Sequence, residues 1–116
     1  MDVNRAVERK IVDLEAELLA GGHSYTGTIE NISSDGLYIQ FTTEPTKSAK
    51  DFLPTSKLVI KFQIPSGEKI DLTCESRWIN IYQVPPDSVV NNLGILIIDP
   101  PQILKDFVDT LQLPSE

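Results

Sequence analysis

Near its start the chain follows two hydrophobic periods at once. Val3, Val7, Ile11, Leu14 and Leu18 recur at spacings of four, four, three and four, which is the stripe of an amphipathic helix. Over part of the same stretch, Val12, Leu14, Ala16 and Leu18 alternate strictly with Asp13, Glu15 and Glu17, which places the apolar set on one face of a half-buried strand. The next residues favour the strand. Gly21-Gly22 supplies a turn, and Ser24 to Glu30 is rich in Thr, Tyr and Ile, so the pattern predicts a hairpin whose first strand begins at about Ile11.

Period-two alternation then returns three times. Leu37, Ile39 and Phe41 point one way and Tyr38 and Gln40 the other, which predicts a third strand. Residues 42 to 55 lose all periodicity and contain Pro45 and Pro54, so they read as a long loop with a short helical turn near Ser48 to Leu53. Leu58, Ile60 and Phe62 form the next strand, and Pro65-Ser66-Gly67-Glu68 is a turn. Ile70, Leu72, Cys74, Ser76 and Trp78 share the inward face of the strand after it. Pro85-Pro86-Asp87 breaks the chain, Leu93 to Ile98 is a buried strand, and Asp99-Pro100-Pro101 leads into a helix over 101–112. In that helix Ile103, Leu104, Phe107, Val108 and Leu111 lie on one face. The expected fold is all-β with a terminal helix: a six-stranded antiparallel barrel that the C-terminal helix caps.

At 116 residues and 41% apolar, the chain supports one core, read as a barrel domain over 11–116 behind a flexible arm over 1–10. The net charge of -7 is uneven: Arg5, Arg9 and Lys10 outweigh Asp2 and Glu8, so the arm is positive and the rest strongly negative. Such a surface argues against DNA or RNA binding, which needs a basic stripe, but leaves room for a small anion met locally. The single Cys74 cannot form an internal disulfide, and no run approaches the roughly 18 apolar residues of a membrane span. With no signal-peptide pattern either, the expected location is the cytoplasm, without membrane insertion. For the same reason the acceptor pattern Asn31-Ile32-Ser33 is not read as a glycosylation site.

The parts of an active site are sparse. His23 is the single histidine and sits in a turn, Cys74 is on an inward face, and the carboxylates are scattered, so neither a catalytic constellation nor a zinc site can be assembled. Binding is better supported. Two of the three arginines, Arg5 and Arg9, stand four residues apart, and a guanidinium presents a planar fork that matches phosphate or the acceptor edge of guanine. Downstream, Asn31-x-Ser33-x-x-Gly36 forms a polar turn in which Asn and Ser fold back on the backbone and Gly36 is free to take a positive φ. The plainer readings are exposed ion pairs of the arginines with Glu8, worth little, and an ordinary Asx or Ser turn between strands.

The two motifs, in this order, resemble those of the PilZ domain family. Ser76-Arg77-Trp78, Leu93-Gly94-Ile95-Leu96-Ile97 and the trailing helix extend the similarity over nearly the whole chain. The resemblance implies a non-enzymatic receptor for the bacterial second messenger cyclic di-GMP, with no cofactor. By carry-over, Arg5 and Arg9 clamp phosphates and meet guanine, Asn31, Ser33 and Gly36 line the turn that receives the base, and Lys10 adds positive potential. The arm would order on binding and present a new surface to a protein effector. The chain departs from the family pattern in its longer 42–55 loop, in Ser56 where a glycine is common, and in Asn31 for the commoner Asp. Two other readings stay open: a degenerate PilZ-like adaptor that binds a protein and no nucleotide, and a dimer formed through a helix over residues 3–20.

Overall fold

In the computed structural model, which describes residues 9–43, 52–84 and 88–111, the N-terminal segment adopts the strand and not the helix. Strand β1, Lys10–Ala20, turns at Gly21-Gly22 into β2, His23–Ile32, and Ala20 pairs with His23 across the turn. Both turn glycines have positive φ, 59° and 82°, the backbone that matches the right-handed twist of two paired strands. The helical arm is thereby overturned for residues 10–20, because the acidic residues between the apolar ones need the solvent face that a strand gives them.

The remaining strands are β3 Gly36–Thr43, β4 Lys57–Gln63, β5 Lys69–Val84 and β6 Ser88–Ile97. They close into a barrel in the order β1-β2-β3-β6-β5-β4, with antiparallel neighbours throughout and β1 paired to β4 from Ala16↔Phe62 to Leu19↔Val59. Closure pairs β1 with β4 over these residues and so shields that part of their edges from templating another chain. Alternation puts Leu18, Ile29, Leu37, Ile39, Ile60, Leu72, Cys74 and Leu93 in the core. Helix α1, Gln102–Thr110, lays Leu104, Phe107 and Val108 over one barrel opening, and Phe107 meets Phe62 at 6.4 Å between ring centroids. It ends before the expected residue 112 because Leu111 is already extended, with φ -83 and ψ 146.

Three expectations change. Trp78 is not inward: the β5–β6 register shifts between Ser76 and Trp78, and this bulge turns the indole to the outer face, where it is 45% exposed. The β5–β6 ladder also runs on to Val84↔Ser88, well past the predicted ends, because the bulge interrupts the period that marks them. Finally, the segment assigned to a loop carries a core residue. Phe52 is buried with its ring 4.9 Å from both Tyr25 and Phe41, and Ser76 Oγ donates to its carbonyl at 2.8 Å. Most of the helical turn expected over Ser48 to Leu53 lies outside the described residues.

Candidate functional site

The turn between β2 and β3 lies at the barrel end that also holds the start of β1, the end of β6 and helix α1. Ser33 is buried and spends its hydroxyl on the turn itself. Its Oγ accepts from Gly36 N at 3.1 Å and donates to Asp35 Oδ1 at 3.0 Å or Gly36 O at 3.2 Å, while Ser33 N donates to Gly36 O at 2.8 Å. Ile97 N donates to Asp35 O at 2.9 Å, which ties the turn to the end of β6.

Asn31 follows a register shift in the β2–β3 pairing, and its Oδ1 accepts from Arg9 Nη1 at 3.1 Å. Gly36 makes that seat possible. A Cβ there would stand 3.1 Å from Arg9 Nη2 and 3.0 Å from Ile95 O, so bare backbone is what lets the guanidinium lie against the turn. Positive φ occurs at Gly21, Gly22 and Gly67 but not at Gly36, so this glycine serves close approach and not the left-handed backbone expected of it. Arg9, Asn31 and Gly36 are therefore brought together, with Ser33 beneath them.

Cross-strand register continues the site around the barrel. Ile11 pairs with Asn31, Asn31 with Tyr38, Tyr38 with Gly94 and Gly94 with Trp78. Tyr38 and Trp78 stack at 5.5 Å and 38° on the outer face. The indole lies flat on Gly94, where an added Cβ would collide with Trp78 Nε1. Ile11, 68% exposed, stands at the other end of the row. The amide and the aromatic pair of this row, with the cation of Arg9 bonded to the amide, can meet a base edge, a base face and a phosphate respectively. The aromatic pair is hidden in the sequence because strict alternation puts Trp78 inward; the available signal is Gly94, since glycine within a strand marks close approach.

Two predicted residues are not part of this cluster. Lys10 turns away from it, and its Nζ donates to Val108 O and Leu111 O at the end of α1, both at 3.1 Å. Arg5 lies outside the described residues. Cys74 is buried, and desolvation, only partly offset by a backbone hydrogen bond from Ile60, pushes its thiol up to about 12, where thiolate chemistry is suppressed. Among the described residues no group of three or more His, Cys, Asp or Glu side chains could hold a metal ion. No described helix is long and apolar enough to cross a membrane.

Comparison with known proteins bears on the fold. A family model described as PilZ domain matches residues 4–105. A comparison with curated proteins gives no match. Among solved structures, the PilZ domain of YcgR from Escherichia coli, described with c-di-GMP, is similar with a TM-score of 0.66 and 8% identity, over 89% of this chain and 84% of that one. The Borreliella burgdorferi PlzA protein in complex with c-di-GMP is similar at 0.63 and 16% identity, over 89% of this chain and 49% of its own. The Bacillus subtilis inhibitor of motility MotI is similar at 0.69 and 14% identity, over 94% of this chain and 51% of its own. This chain thus spans about half the length of PlzA and of MotI.

Proposed function

The chain belongs to the PilZ domain family, and from that premise we propose that it is a non-enzymatic receptor for cyclic di-GMP acting in the bacterial cytoplasm. The observation that carries the reading is the seat of Arg9, hydrogen-bonded to Asn31 and resting on the bare backbone of Gly36. Two similar structures, PlzA and YcgR, are described with this nucleotide. In a chain of net charge -7, a dianionic ligand needs local cations, and Arg9 is one, held where the turn opens to solvent.

In this reading Arg9 meets a phosphate or the acceptor edge of guanine, and Arg5 from the arm over 1–10 supplies the second cation. The Asn31 amide faces the base edge, and Gly36 allows the ligand close to the backbone. Ser33 acts from below, by holding the turn. Tyr38 and Trp78 offer an aromatic face beside these groups, suited to a guanine ring. Engagement of Arg5 and Arg9 together by the nucleotide then creates the surface that a protein effector reads.

Trp78 is the single tryptophan of the chain, so its fluorescence reports on the site without a label. Titration with cyclic di-GMP is expected to change that fluorescence saturably, with GTP as a control that does not reproduce the change. A folded sample showing neither a fluorescence change nor a rise in melting temperature would overturn the receptor reading in favour of the nucleotide-independent adaptor.

A further inference from the structure

Arg9 and Lys10 are consecutive, and they engage different partners. Arg9 bonds to Asn31 at the polar turn, whereas Lys10 Nζ donates to the carbonyls of Val108 and Leu111, 98 and 101 residues away in sequence. Those carbonyls belong to the last turn and the C-cap of α1, where the helix dipole is negative; Val108 O also accepts from Leu111 N at 3.1 Å, so Lys10 is a second donor there. No basic residue in the last turn of α1 performs this service, and its N-cap, Pro101, makes no side-chain bond. A helix of nine residues is too short to persist alone, so its docking depends on its apolar face and on Lys10.

The segment bearing both residues precedes an irregularity in its strand pairing. Lys10 pairs with Ile32 and Ile11 with Asn31, after which the β1–β2 register is irregular until Leu14. To this pairing the side chains of Arg9 and Lys10 add one tie to the turn and one to the helix. A second connection runs from the turn to the same helix, since Asp35 O accepts from Ile97 N at the end of β6, the strand that leads into α1.

We propose that Lys10 is a positioning residue which couples nucleotide occupancy at Arg9 to the docking of helix α1. A ligand that fixes Arg9 fixes the peptide that carries Lys10, and so tightens the clasp on the helix. The proposal rests on the reading of the chain as a cyclic di-GMP receptor. Coupling is reciprocal: the factor by which the nucleotide stabilises docking of α1 equals the factor by which the intact clasp raises nucleotide affinity. We expect this factor at the low end of known couplings, about five- to tenfold.

The test is amide hydrogen exchange over residues 104–111 of the full chain, with and without saturating cyclic di-GMP. Exchange times are kept short relative to global unfolding, with β4 and β5 amides as the internal reference. Calorimetric affinities for the parent, Lys10→Met and Lys10→Arg are taken at two salt concentrations. The expected result is a five- to tenfold slowing of exchange in α1 of the parent, a matching loss of affinity in Lys10→Met, and partial rescue by Lys10→Arg. The salt dependence of affinity should be the same in parent and Lys10→Met, because Lys10 does not touch the phosphates; a shallower dependence in the variant would make Lys10 a direct contact and overturn the proposal. Unchanged α1 exchange in a parent that binds nucleotide overturns the coupling alone, and needs no variant to fold. A parent that binds no nucleotide overturns the receptor reading on which the coupling rests.

Discussion

Replacing Ser33 with Ala separates a turn that is built from a turn that is merely contacted. Ser33 is 1% exposed, and its Oγ is the acceptor for Gly36 N at 3.1 Å. Without it, a buried backbone donor is left to find another partner, which costs about 1–3 kcal/mol. The bond from Ser33 to Asp35 Oδ1 is lost as well, but Asp35 is exposed and its carboxylate is taken up by water, so little is added. The Asp35 N contact at 3.4 Å is too long to matter. The expected loss is about 2 kcal/mol, a large share of the roughly 5–15 kcal/mol that holds a domain folded. For a chain of this size that lowers the melting temperature by roughly 6–12 °C. Urea unfolding followed by Trp78 fluorescence and far-UV circular dichroism measures it. Nucleotide affinity should fall in parallel, because a loosened turn carries Gly36 and its seat for Arg9 away from the binding geometry. A Ser33→Ala protein as stable as the parent to within about 0.3 kcal/mol, a typical uncertainty of such comparisons, yet unable to bind, would refute this and make the hydroxyl a direct ligand contact.

Gly36→Ala should behave in the opposite way. The added methyl displaces the flexible end of Arg9 and presses on Ile95 O, while Ala recovers about 0.5–1 kcal/mol of strand propensity, so stability stays near the parent and nucleotide affinity falls at least about tenfold by calorimetry. Gly94→Ala must lift the indole off the β6 backbone and away from Tyr38, losing about 0.5–1.5 kcal/mol of aromatic contact; a red shift of tryptophan emission checks it, and an unchanged spectrum contradicts it. The Cys74 thiol should not react with an aromatic disulfide reagent at pH 8 until the protein unfolds. Its pKa is raised from 9.0 to about 12 in the fold, so between these values the unfolded chain loses its proton first, and stability falls as pH rises from about 9 toward 12; Cys74→Val should flatten that part of a pH–denaturation series relative to the parent.

How much of the fold is legible in the sequence depends on whether a local period survives. Leu37, Ile39 and Phe41, like Leu58, Ile60 and Phe62, announce their strands because each lies on a half-buried ribbon with no irregularity between its members. In the N-terminal segment two periods compete, and Gly21-Gly22 decides between them through its turn chemistry. Alternation misplaces Trp78 because a bulge inserts one residue and reverses every side chain beyond it, and a bulge has no signature in a pattern of apolar and polar letters. Phe52 is hidden because its partners, Tyr25 and Phe41, come from other strands, which no period inside residues 42–55 could reveal.

The site divides in the same way. Arg9, Asn31 and Gly36 are identifiable as residue types suited to a nucleotide, and the structure brings these three together. The inward turn of the Ser33 hydroxyl, the space requirement at Gly36 and the clasp of Lys10 on α1 are tertiary facts. Lys10 and Arg9 look alike as neighbouring cations in a sequence; strand geometry is what sends one to the turn and the other to a helix at the opposite end of the chain.

The central claim is that Arg9, seated on Gly36 and held by Asn31, binds cyclic di-GMP. Isothermal titration calorimetry of the folded parent and of Arg9→Ala with this nucleotide tests it most directly. The account predicts saturable binding by the parent, weakened about 10- to 150-fold in Arg9→Ala, the loss expected for a hydrogen bond made by a charged group. No heat of binding from a folded parent, or an Arg9→Ala protein that binds as tightly as the parent, would contradict it.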